Sequence, residues 1–196
     1  MLRFLLAMVT GTIVIYAWGM AAWMALPIHD GTLHRLPDPT AITQALRAQQ
    51  LKGGLYTYPA MPEHAVDATA EQKAAEMKEF TDRHLAGPLV TVIYHPEGGQ
   101  PMPPEMLVRG LAIDVVAVFL VCLILVLCGP IGFVRRLLIV VLAGGFAATV
   151  SHVALWNWMY FPLDYTLAMV LDVVLGWALT GLFLAPILRK KTPAVG

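Results

Sequence analysis

Residues 110–128 read Gly110-Leu111-Ala112-Ile113-Asp114-Val115-Val116-Ala117-Val118-Phe119-Leu120-Val121-Cys122-Leu123-Ile124-Leu125-Val126-Leu127-Cys128. One side chain in that stretch, Asp114, carries a charge. A helix of about 20 apolar residues crosses the roughly 30 Å hydrocarbon core of a bilayer. The run is therefore long enough to span, and no water-facing helix face interrupts it. It begins at Met106 or Leu107, after Pro103 and Pro104, which suit a first helical turn. Gly129-Pro130-Ile131-Gly132 breaks it.

Three further runs flank it at comparable length: Phe4–Leu26, closed by Pro27; Leu137–Trp156; and Tyr165–Leu188. The first competes with a secretory signal peptide. Its apolar length exceeds the roughly 7–15 residues of a signal-peptide core. It also holds Trp18 and Trp23 and lacks a small-x-small end, so it reads as an uncleaved anchor. The composition agrees, with 58% hydrophobic and 13% charged residues against about 25% charged in soluble domains. Net charge is zero, which leaves no basic footprint for nucleic acid. Both cysteines, Cys122 and Cys128, lie in an apolar run, so the polar segment has no disulfide framework.

The expected architecture is a membrane α-helical protein of four spans, with a small α/β extracytoplasmic insert between the first two. The segments are an anchor over 1–28, the insert over 29–104, a three-helix bundle over 105–188 and a tail over 189–196. Arg3, Arg135, Arg136, Arg189, Lys190 and Lys191 cluster at the N-terminus, the loop between spans two and three, and the C-terminus. Basic loops stay in the cytoplasm. Both termini are then cytoplasmic, and 29–104 is periplasmic in the inner membrane of a two-membrane bacterium.

Inside the insert, Asp38-Pro39 caps a helix over Thr40–Leu51 that Gly53-Gly54 ends. Leu55–Tyr58 reads as a strand. Thr69 and Gln72 form a capping box for a helix running to about Leu85, and Leu89–Tyr94 is a second strand. Ile42, Ala45, Leu46 and Gln49 share one face of the first helix, and Ala74, Met77, Phe80 and Thr81 share one of the second. So small a unit buries little apolar surface by itself.

Ionisable residues within the spans are the candidates for function. Asp114 and Asp172 lie at similar distances from the same ends of spans two and four, and His152 lies at a compatible depth on span three. A carboxylate at mid-span costs about 2.5–3.5 kcal/mol on the insertion scale, so it usually faces the protein interior. The expectation is an inward-facing cluster of Asp114, His152 and Asp172, acting as helix glue, as a proton relay, or as a metal or ligand site. Arg109 follows Glu105 by four residues, the spacing of a helical ion pair. His29, Asp30 and His34 form a candidate metal set, although their spacing matches no helical zinc motif. Trp156, Trp158, Tyr160 and Phe161 match an interfacial aromatic belt. Small residues at Ala17/Ala21/Ala25, Gly144/Ala148 and Gly181/Ala185 mark packing faces.

No nucleophile elbow, phosphate loop, HExxH, haem-attachment or dinucleotide motif occurs. No catalytic residue is assigned, and no cofactor is predicted beyond the candidate metal.

The stretches Trp23–Leu33, Phe161–Leu167 and Leu171–Trp177 resemble small uncharacterised, hypothetical bacterial inner-membrane proteins. That resemblance implies the topology and carries no activity. The leading expectation is a non-enzymatic accessory, assembly or stabilising subunit of a larger membrane complex. Its partners are the lipid bilayer and other membrane-protein subunits, or further copies of itself, and not nucleic acid. The alternatives are a small proton-coupled transporter or relay, and a periplasmic metal- or ligand-binding module.

Overall fold

A computed structural model describes residues 1–188. The basic residues Arg189, Lys190 and Lys191 and the 189–196 tail lie outside them. In chain order the elements are α1 (Leu2–Met24), α2 (Pro39–Ala48), β1 (Gly54–Tyr58), α3 (Ala70–Ala86), β2 (Val90–Tyr94), α4 (Pro104–Leu127), α5 (Phe133–Ala148), α6 (Ala154–Met159) and α7 (Leu163–Ile187). Four helices are long and apolar enough to cross a membrane: α1, α4, the continuous Phe133–Met159 helix and α7. A π-helical turn, Thr149–Val153, joins α5 to α6 within the third of these.

The third span is longer at both ends than the apolar run alone suggests. At its start, Arg136 is 2% exposed and donates to the carbonyls of Ile131 (3.0 Å) and Gly129 (3.1 Å). Arg136 is also one of the two basic residues at the loop between spans two and three. In the fold its guanidinium satisfies backbone carbonyls of the α4–α5 loop, which lets helix begin at Phe133.

Two compact units form, Met1–Arg35 with Pro101–Gly196, and Leu36–Gln100. Residues 29–35 thus belong with the helices and not with the insert, because His29 folds back onto α7. In the helical unit, α7 packs most extensively on α5 and then on α1, while α4 packs mainly on α1. The core comprises Ala7, Val118, Val121, Cys122, Leu125, Val140, Leu184 and Leu188.

Glycines set the close approaches. A Cβ on Gly144 would stand 2.7 Å from that of Trp177, and one on Gly181 2.9 Å from Leu137. The small residues of spans three and four therefore serve internal packing. In α1 the packed face differs from the expected one. Ala7, Gly11 and Ala22 are buried, whereas Ala17 and Ala25 are exposed. Gly11 fixes that rotation, since a Cβ there would meet Val118 and Leu184 each at 2.8 Å.

The insert unit is built from local signals. Asp38 accepts from Ala41 N at 3.0 Å, and Thr69 and Gln72 exchange both bonds of the capping box. Helix α2 stops at Ala48, earlier than Gly53-Gly54, and the left-handed residue after it is Gln50 at φ 52°. β1 and β2 pair antiparallel, Gly54 opposite Tyr94 through Tyr58 opposite Val90. No residue of this unit is fully buried; Ile42 and Met77 stay exposed and Phe80 is half-buried. Exposed i,i+4 pairs line α3, and the Asp82 carboxylate beside Lys78 raises that ammonium's pKa above its ordinary value.

Thr69→Ala removes one half of the capping box and costs about 1 kcal/mol of local stability. Amide hydrogen exchange over residues 70–74 of the full-length protein should accelerate about fivefold. Unchanged exchange would show that the cap does not hold α3.

Candidate functional site

Asp172 sits nine residues into α7, roughly 13 Å along the axis from Leu163. Its surroundings are built from three directions. The Trp18 indole on α1 donates from Nε1 to Asp172 Oδ1 at 2.6 Å and lies 3.1 Å from the Asp172 carbonyl. Gly176, one turn further along α7, makes this contact geometrically feasible. A Cβ there would lie 2.6 Å from Trp18 Cδ1 and 2.9 Å from Nε1.

The third direction is the chain just beyond α1. Pro27 opens a short 3₁₀ turn, Pro27–His29, and the backbone doubles back. His29 Nε2 then lies 3.0 Å from Asp172 Oδ2, with side-chain exposures of 7% and 11% for the two residues. Trp23 stacks on the imidazole, ring centroids 3.9 Å apart and planes at 13°. Thr32 Oγ1 donates to the His29 carbonyl at 2.9 Å and steadies the turn.

Both carboxylate oxygens are thereby occupied. His29 Nδ1 is buried and has no hydrogen-bond partner among the described residues. A hydrogen on Nε2 would face the carboxylate and leave Nδ1 as the bare ring nitrogen.

His152 lies in the π-helical turn of the third span, a turn that packs against α7. Its Nδ1 is also buried without a partner among the described residues. A π turn inserts an extra residue and re-aims side chains, and such turns are frequent at functional sites. The structure thus joins Asp172 to His29 and sets the turn that carries His152 against the same helix.

Asp114 is placed elsewhere. It is half-buried beside an open groove between α1 and α4 of about 250 Å³, lined by Tyr16, Gly19, Met20, Met106, Gly110 and neighbours. It makes no hydrogen bond or ion pair with any described residue. Matching depth did not bring the two aspartates together, because α1 packs on both α4 and α7 and the two carboxylates face different interfaces.

Among the other candidates, His34 lies 4.0 Å from Asp164, both exposed, and Asp30 is exposed. No group of three or more His, Cys, Asp or Glu among the described residues is arranged to hold a metal ion. Trp156, Trp158 and Tyr160 are exposed at the end of the third span, and Phe161 tilts against Tyr165 at 5.7 Å. Arg109 forms no ion pair with Glu105.

No protein-family model matches the chain, and no curated protein or solved structure matches it either. Function must therefore be argued from the site.

Sequence reasoning missed Trp18 and Gly176 as parts of the site and assigned His29 to a metal set. A signal was present. A mid-span carboxylate needs a donor, Trp18 lies at a similar depth on α1, and a glycine one turn after Asp172 leaves room for a large ring.

Trp18→Phe keeps the ring and removes the donor, at a cost of about 1–2 kcal/mol within a bilayer. His29→Ala should cost a similar amount. The double variant should lose less than the sum, since the two share one carboxylate. Thermal unfolding midpoints in mild detergent check this; a Trp18→Phe midpoint equal to wild type would show the indole bond to be inconsequential.

Proposed function

We propose that this protein is a non-enzymatic accessory, assembly or stabilising subunit of a larger complex in a bacterial inner membrane. In this reading both termini are cytoplasmic and the insert is exported. The observation that carries it is Asp114, a carboxylate ten residues into α4 on an open face, with no partner in its own chain among the described residues. A charged group at that depth is expected to meet protein. The internal carboxylate is satisfied by Trp18 and His29, so the open one is where a neighbour belongs. The Arg3, Arg135 and Arg136 positions support the orientation by the positive-inside rule.

Purification of the tagged full-length protein from native membranes in mild detergent tests the reading. Other membrane subunits should co-purify in stoichiometric amounts. A preparation containing only this chain, across several mild detergents, would sink it.

A second reading is favoured by one specific feature, the two buried and unpartnered imidazole nitrogens of His29 and His152. There the cluster passes protons, with His29 as the group nearest the insert end of the helices. Asp172→Asn keeps an oxygen acceptor for Trp18 but removes the carboxylate. It should abolish pH-driven uptake or proton flux in reconstituted vesicles while leaving the thermal midpoint within a few degrees. Flux equal to wild type would end the relay reading.

A further inference from the structure

Building on the subunit reading, we infer that the α1/α4 face around Asp114 receives a membrane-spanning helix of a different protein, one that carries a lysine or arginine at the depth of Asp114. Only two charged side chains lie more than two turns from either end of a span, Asp114 and Asp172. Asp172 is bonded at both oxygens. Asp114 is bonded at neither, and the nearby Tyr16 hydroxyl points to the Leu107 carbonyl at 3.4 Å.

The groove glycines supply an independent observation. Gly11, Gly144, Gly176 and Gly181 are each closed over by a side chain of this chain at under 3 Å from an added Cβ. Gly19 and Gly110, which flank the Asp114 groove, are not. A Cβ on Gly19 meets nothing within 4 Å, and one on Gly110 meets only Tyr16 at 3.9 Å. These two leave bare backbone toward the groove, the feature that lets a second helix approach closely. A carboxylate in that setting is complemented by a cation that reaches it out of water.

A second copy of this chain does not supply that cation. Related by an axis along the membrane normal, it presents the same residues at the same heights. At the height of Asp114 its spans carry no Lys or Arg. Arg109 lies five residues nearer the insert end, roughly 7.5 Å higher, and basic side chains near span ends extend toward water.

The test uses the full-length protein in its native membrane, with a photo-reactive amino acid at Met20 or Met106 and, as control, at Leu142 on α5. The Met20 and Met106 probes should each capture one spanning segment of another protein, containing a Lys or Arg at mid-depth; Leu142 should not capture it. Gly19→Leu extends into the groove from a position where an added Cβ meets nothing within 4 Å and should cut the crosslink at least tenfold. Asp114→Ala should do the same. Asp114→Lys combined with Asp at the partner's basic position should restore it. A captured segment without a basic residue, capture of a second copy, or capture of lipid alone would overturn the inference. If subunits co-purify stoichiometrically yet crosslinking at this face finds none of them, the subunit reading stands and this docking face is wrong. If nothing co-purifies, both fall.

Discussion

The helical unit is organised around a carboxylate that water cannot reach freely. Asp172 is tolerable at mid-span only while donors occupy both of its oxygens, and those donors fix three otherwise independent things. Trp18, together with Gly11, sets the rotation of α1 about its own axis. Gly176 is required so that the Cδ1–Nε1 edge of the indole can approach α7. His29 obliges the chain leaving α1 to turn back through Pro27 before it departs toward the insert, which is why residues 29–35 belong to the helical unit. Weakening the carboxylate's partners therefore loosens the α1/α7 interface and the 27–32 turn together.

The spans themselves were plain in the sequence because bilayer thickness and the lack of charge are one-dimensional signals. The caps at Asp38 and Thr69 and both strands were plain for a similar reason, being short-range hydrogen-bonding patterns. Angular position was not legible. α4 is apolar all round, so nothing in its sequence says that Asp114 faces α1 and not α7. In α1 the Ala17/Ala21/Ala25 spacing suggested one face, while Gly11 and Trp18, each matched to a residue more than a hundred positions away, chose another. The π-helical turn at His152 escaped too, since no residue type in Thr149–Val153 demands it.

The two ends of the helical unit are finished by different chemistry. At the loop between spans two and three, Arg136 is buried and spends its guanidinium on the carbonyls of Gly129 and Ile131. At the insert end, His29 and Trp23 close over Asp172 with ring stacking and one hydrogen bond. A guanidinium presents a rigid fork of donors and no acceptor, whereas an imidazole offers one ring nitrogen to a carboxylate and its face to a stacked ring. The first closure therefore caps backbone carbonyls, and the second caps a side-chain carboxylate. That asymmetry is independent of which side of the membrane either end faces.

Asp114 and Asp172 make a controlled comparison within one chain: the same side chain, at nearly the same depth, on helices running in the same direction. One is surrounded by an indole, an imidazole and a glycine shaped to admit them. The other faces an open groove bordered by two glycines that no side chain among the described residues closes over. If mid-span aspartates were retained here only as internal glue, both should show the first pattern. A cost of about 2.5–3.5 kcal/mol on the insertion scale falls on each. In Asp172 the internal donors offset it, and in Asp114 the described residues leave it outstanding. The difference lies in what surrounds each group and not in its chemistry, and it is the ground on which we propose a neighbour at the Asp114 face.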